Sequence, residues 1–190
     1  MQIVKTKLKD CYIIEPDKFG DNRGYFSPCF IKDILEKNGL EFGEVRQLNR
    51  SLSGKGIVRG LHFQKDPKCQ AKIVECLQGA ILDVVVDIRE GSETYGKWTS
   101  ILLTPENGRQ LFIPRGYAHG FVSLKDQSLF QYIVDNDYAP DMEDGIAWDD
   151  PNLAIDWELD KYDIEKPILS EKDMHRPTLK ESPTYFKVTK

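Results

Sequence analysis

Short runs of β-branched and aromatic residues recur between turn signals through the middle of the chain: GIVRGLHFQ, AKIVECLQG, AILDVVVDIREG, KWTSILLTPENG, QLFIPRG, HGFVSL and SLFQYIV. That spacing predicts an all-β antiparallel sandwich or barrel. One helix is predicted over residues 30–38, where Ile31, Ile34 and Leu35 share a face and Gly39 supplies the stop. After WDDPNLAIDW the periodicity fades, and from Lys161 the chain is rich in charge, proline and loop residues. The pattern predicts a single domain over residues 1–190, with a barrel core at about 40–148 and an extended C-terminal segment at about 149–190 wrapping it.

A chain of 190 residues, 40% hydrophobic and 30% charged, is long enough to bury about two-thirds of its unfolded surface in one core. The net charge of −5 disfavours nucleic acid as a partner, because phosphate-backbone binding needs a basic stripe. No apolar run approaches the roughly 20 residues that span a bilayer, so a cytoplasmic protein without membrane contact is expected. Cys11, Cys29, Cys69 and Cys76 contain no C-x-x-C pair and are expected as buried or half-buried free thiols.

Strand alternation sorts the chemistry. In RGLHFQ it puts Gly60, His62 and Gln64 on one face and Arg59, Leu61 and Phe63 on the other; in AKIVECL it aligns Lys72, Val74 and Cys76; in SLFQYIV it aligns Phe130, Tyr132 and Val134. If these faces line one barrel, His62, Lys72 and Tyr132 converge in an apolar cavity suited to proton transfer. Taken singly, a histidine or tyrosine in a strand is more often a hydrogen-bonded structural residue. Lys72 on an apolar face is more telling, its bland alternative being an edge-strand gatekeeper.

The segment FIPRGYAHGF, with a turn at Pro114 to Gly116 followed by His119, resembles the second motif of cupin barrels. Metal-binding cupins carry H-x-H in their first motif. Here that motif reads His62-Phe63-Gln64, and His175 lies in the irregular tail, so no metal is expected.

More extended likenesses run through the chain in order: DNRGYF at 21–26, QLNRS at 47–51, VRGLHFQ at 58–64, the stretch from Ala71 to Trp98, IPRGYAHGF at 113–121, WDDPNLAIDW at 148–157 and PILSEKD at 167–173. Together they resemble the dTDP-4-dehydrorhamnose 3,5-epimerases. The resemblance implies a cupin-type jelly roll, usually a homodimer, that converts the dTDP-sugar substrate dTDP-4-dehydro-6-deoxy-D-glucose to dTDP-4-dehydro-L-rhamnose with no cofactor. It implies His62 as the base, Asp173 as the carboxylate that orients it, Tyr132 as the proton donor and Lys72 as the lysine of the site. The positions matching substrate contacts are Arg23, Phe26, Gln47, Asn49, Arg59, Lys72, His119, Tyr138, Glu143 and Lys172.

Arg59 points away from His62 in an ideal strand, so its role requires a bulge, a twist or a second binding region. Three positions depart from the family's pattern: Pro28 replaces a substrate-binding glutamate, Leu48 an aspartate in the QLN motif, and Arg115 a frequent glutamate in the P-x-G turn. Three alternatives stay open: a relative that inverts one carbon or takes another 4-keto nucleotide sugar, a non-catalytic barrel that binds such sugars, and a metal-dependent cupin enzyme.

Overall fold

The alternating runs become antiparallel strands in the computed structural model, which describes residues 1–188. Ahead of the barrel motifs come β1 (Gln2–Lys5), β2 (Tyr12–Glu15), the hairpin β3 (Phe19–Asp21) and β4 (Gly24–Phe26), and helix α1 (Lys32–Lys37). Then follow β5 (Gln47–Ser53), β6 (Val58–Gln64), β7 (Lys72–Gln78), β8 (Ile81–Asp87), β9 (Arg89–Glu90), β10 (Trp98–Leu103), β11 (Gln110–Ile113), β12 (Tyr117–Ser123), β13 (Ser128–Val134) and β14 (Glu143–Gly145). Among its described residues the C-terminal segment carries the one-turn helix α2 (Glu171–Met174), a 3-10 turn and β15 (Phe186–Lys187).

Two sheets form the jelly roll: six strands in the order β1-β2-β11-β7-β13-β5, and five in the order β10-β8-β12-β6-β14. Between them lies a cluster from both, including Val74 and Cys76 of β7, Ile81 and Val85 of β8, Phe121 of β12 and Phe130 of β13. Alternation sends Leu82, Val84 and Val86 to the opposite face of β8, where Leu153, Trp157, Ile164 and Phe186 of the C-terminal segment cover them. This double covering leaves every residue of ILDVVVD buried. The outer face of the six-stranded sheet packs Ile14, Ile73 and Phe112 against Leu35, Leu40 and Phe42 from α1 and the loop after it.

Several boundaries differ from the sequence reading. The barrel core begins well before residue 40, because β1 and β2 extend the six-stranded sheet through β11. QIVK and YIIE are four residues each and flanked by charge, too short for a clear period-two signal. The helix is confined to Lys32–Lys37, with Ile31 in an extended conformation and no side-chain cap. Of the four cysteines, all free, Cys29 is exposed rather than buried. Thr189 and Lys190, the end of the expected wrapping segment, lie outside the described residues.

Candidate active site

His62 on β6, Lys72 on β7 and Tyr132 on β13 line one cavity of about 450 Å³ between the sheets, with Arg59, His119, Glu143, Lys172 and Asp173 on its wall. An adjoining hollow of about 350 Å³ shares His62, Lys72, Tyr132 and Glu143 and adds Gln47, Asn49 and Tyr138. A larger hollow of about 710 Å³, lined by residues between Trp148 and Lys161, contains none of these groups. Its size alone gives it no chemistry.

The base candidate is held by the C-terminal segment. His62 Nε2 lies 2.5 Å from Asp173 Oδ1, and the Asp173 side chain is 5% exposed against 31% for His62. Ser170 caps α2, accepting a hydrogen bond from the Asp173 backbone N–H at 3.2 Å. Burial works to raise the Asp173 pKa, but hydrogen bonds from His62 and Ser170 outweigh it and hold the carboxyl below the usual range. An ionised carboxylate on Nε2 retains the proton there and leaves Nδ1 with the lone pair.

Deeper in the barrel His119, which the family resemblance marks as a substrate contact, pairs with Asp83, which the sequence reading missed: His119 Nε2 lies 2.8 Å from Asp83 Oδ2. Burial pushes the His119 pKa down and the Asp83 carboxyl up, and Asp83 Oδ1 has no hydrogen-bond partner among the described residues. The available signal is a carboxylate inside the apolar run ILDVVVD, a run whose pattern predicts only a strand. Burial also lowers the Lys72 pKa, against the opposing pull of Cys69, Asp83 and Glu143. The Tyr132 phenol is raised by burial, with the Arg59 cation opposing. Phe130 packs against both rings, 5.8 Å from Tyr132 and 6.1 Å from His119 between centroids.

A bulge brings Arg59 to the cavity. β12 pairs His119 with His62 and Phe121 with Arg59, so two steps on β12 face three on β6. The irregularity turns Arg59 onto the His62 side, where its Nε donates to Ser53 Oγ at 3.2 Å. Gly60 permits it: with φ +124°, a Cβ there would stand 2.5 Å from Gly120 Cα.

At the mouth, Glu143 gathers the polar rim, accepting a hydrogen bond from Tyr138 Oη at 2.8 Å and another from Lys172 Nζ. Burial opposes its ionisation, but Lys172 and Tyr138 hold the Glu143 carboxyl below its usual range. Gln47 Nε2 donates to Asn49 Oδ1 at 2.8 Å across the adjoining hollow.

Arg23 and Phe26 are not brought to this site. They lie on the β3–β4 hairpin, which pairs with neither main sheet; the Arg23 side chain is 85% exposed and held by Asp21, and Phe26 is 69% exposed.

The donor set does not fit a cupin metal. Both cavity imidazoles place Nε2 on a carboxylate. Gln64, in the place of the second histidine of H-x-H, is consumed by the backbone: its Nε2 donates to Lys68 O and Asp137 O, and its Oε1 accepts from Ala139 N. Among the described residues no three histidine, cysteine or carboxylate side chains gather at metal-binding spacing.

The model of the dTDP-4-dehydrorhamnose 3,5-epimerase family matches residues 5–181. A dTDP-4-dehydrorhamnose 3,5-epimerase of Methanothermobacter thermautotrophicus is 45% identical over 185 residues, covering 97% of this chain and 98% of its own. The crystal structure of dTDP-6-deoxy-D-glucose-3,5-epimerase from Legionella pneumophila Philadelphia 1, in complex with dTDP-4-keto-L-rhamnose, has a TM-score of 0.92 at 38% identity, covering 100% of this chain and 99% of that one. A 3′-monoepimerase from Streptomyces bikiniensis in complex with dTDP-quinovose has a TM-score of 0.84 at 33% identity, covering 93% and 87%. A fold can be shared without chemistry. Here likeness of fold coincides with sequence identity along nearly the whole chain, which therefore belongs to the dTDP-4-dehydrorhamnose 3,5-epimerase family.

Proposed function

We propose that this protein inverts C3 and C5 of dTDP-4-dehydro-6-deoxy-D-glucose, giving dTDP-4-dehydro-L-rhamnose for the dTDP-rhamnose used in surface polysaccharides. The observation that carries this reading is the His62–Asp173 pair sharing one cavity with Tyr132 and Lys72.

The hydrogens beside a ketone are acidic because the electrons of the broken C–H bond delocalise onto the carbonyl oxygen. Neutral His62, oriented by Asp173, takes the proton through Nδ1, a general-base contribution of roughly 10²- to 10⁴-fold. The Lys72 ammonium meets the negative charge developing on the C4 oxygen, an effect worth about 3 kcal/mol in a water-poor site. The Tyr132 phenol, kept protonated by burial, gives its proton to the opposite face of the carbon, and the Arg59 cation favours the phenolate left behind. Solvent then carries the proton from the imidazolium to the phenolate, which resets both groups.

The reading includes a homodimer in which the second copy supplies Arg23 and Phe26. It is supported by the unpaired hairpin and by β5, an edge strand of the six-stranded sheet that exposes Leu48 and Leu52. A cytoplasmic setting suits four free cysteines. No described helix is long and apolar enough to cross a membrane.

The experiment is incubation with the keto sugar in D₂O, followed by NMR. Deuterium enters at both C3 and C5 with wild-type protein and at neither with His62→Ala. Entry at C3 alone would assign the single inversion that the likeness to the 3′-monoepimerase favours, and entry at neither carbon would remove the epimerase reading.

A further inference from the structure

The turn that delivers Lys172 and Asp173 to the cavity is too short to hold itself. α2 spans four residues, and a single helical turn fixes several dihedral angles for very few hydrogen bonds. It is fastened on both sides instead. Upstream, Ile168 accepts from Val58 N at 2.9 Å and donates from its own N–H to Gly56 O at 2.9 Å. Downstream, Ala147 N donates to Pro177 O at 2.7 Å, and beside that bond Arg176 enters the fold.

The Arg176 side chain is 11% exposed, and its guanidinium lies against two successive carboxylates of β14. Nη1 donates to Asp144 Oδ1 at 3.1 Å, and Nη2 stands 3.5 Å from Glu143 Oε1. Space for it depends on Gly145, where a Cβ would come within 3.0 Å of Arg176 Nε and 2.4 Å of Leu61 O. Nε and Nη2 have no hydrogen-bond partner among the described residues, so the guanidinium is poorly satisfied where it sits. An apolar side chain would suffer no such loss there. What distinguishes Arg176 is a permanent positive charge behind Glu143.

We propose that Arg176 is a positioning residue acting through Glu143: it compensates that carboxylate from behind and fixes the turn that presents Lys172 and Asp173. This inference rests on the proposed epimerase reading. Groups from every surrounding element face Glu143: Tyr138 from the preceding loop, Lys172 from α2, His62 from β6, Lys72 from β7 and Tyr132 from β13. Its neighbour Asp144 is shared by Arg176, Tyr185 and Lys65. Without Arg176, Glu143 carries less compensated negative charge beside His62, and a less compensated anion favours the protonated, inactive imidazole. The direction is therefore fixed: the acid limb of the activity profile moves to higher pH.

The test compares Arg176→Met, Arg176→Lys and Arg176→Met/Glu143→Gln with wild type, reading kcat and KM on the keto sugar across pH and the His62 imidazole resonance by NMR in substrate-free protein. Arg176→Met is expected to lower kcat by about 10- to 100-fold, the scale of a small misplacement of catalytic groups, with a lesser change in KM. It is also expected to raise the midpoint of the acid limb and of the His62 titration. Arg176→Lys restores most of kcat, and the Glu143→Gln background abolishes both midpoint shifts. A variant that melts earlier but keeps the wild-type midpoints and kcat, or midpoint shifts that persist without the Glu143 carboxylate, would overturn the proposal. The NMR arm needs no turnover, so an inactive wild-type protein would dismiss the epimerase reading while this inference is still decided.

Discussion

His62 and His119 each present Nε2 to a carboxylate, yet their surroundings divide them. The His119 side chain is 8% exposed, with Asp83 fully buried behind it, and burial lowers its proton affinity. That suits it to a fixed neutral hydrogen-bonding role, while His62 at the cavity wall is the proposed base. Asp83 also bears on Lys72, since its charge opposes the burial that drives a proton off the ammonium. The Lys72 pKa is lowered, so under its proposed role activity is expected to fall on the alkaline side before the ordinary lysine range of about 10.4 is reached. Asp83→Asn removes an anion that retains this proton, while Glu143 and Cys69 still face the group. The alkaline limb of kcat/KM is expected to move to lower pH, which a pH–rate series on the two proteins measures directly. An unchanged limb would separate Lys72 from Asp83.

Among the elements, β6 holds the decisive irregularity. The bulge opposite β12 puts Arg59 and His62 on one cavity, and it requires a residue without Cβ at position 60. Gly60→Ala is expected to destabilise the fold by more than about 1 kcal/mol, measured by urea unfolding, because alanine cannot take the local backbone without strain. The same bulge marks where legibility ended. His62, Lys72 and Tyr132 were readable because a period of two assigns each to a face among apolar neighbours. Arg59 read as pointing away, because alternation assumes unbroken pairing. Asp173 and Lys172 stand in an aperiodic segment, so no local pattern ties them to residue 62, and only the family likeness pointed to them. Asp83 and Arg176 escaped because their partners come from other strands or from the distant chain. The strands β1 and β2 were hidden by shortness and flanking charge. The two-sheet class followed from the recurring runs.

At the scale of the whole molecule, one chain holds the His62 chemistry but leaves Arg23 and Phe26 on an exposed hairpin. The proposed dimer makes a complementation experiment decisive. His62→Ala and Arg23→Ala chains, each nearly inactive alone, are expected to regain turnover when unfolded together and refolded as a mixture. In a mixed dimer one site then carries an intact base and an intact hairpin. No recovery would place Arg23 outside the partner's site.

The order of parts along the chain has a further consequence during synthesis. The proposed base is encoded at position 62, but the carboxylate paired with it arrives at 173, in the segment that covers the outer face of the five-stranded sheet. A nascent chain grows from its N-terminus, so the barrel strands emerge before this segment does. A chain halted between them has a His62 without its carboxylate and an uncovered apolar face, and under the proposed mechanism it is expected to be inert as a catalyst and open to proteases. Under the proposed mechanism, competence to abstract protons arises late in translation, together with the cover that protects the fold.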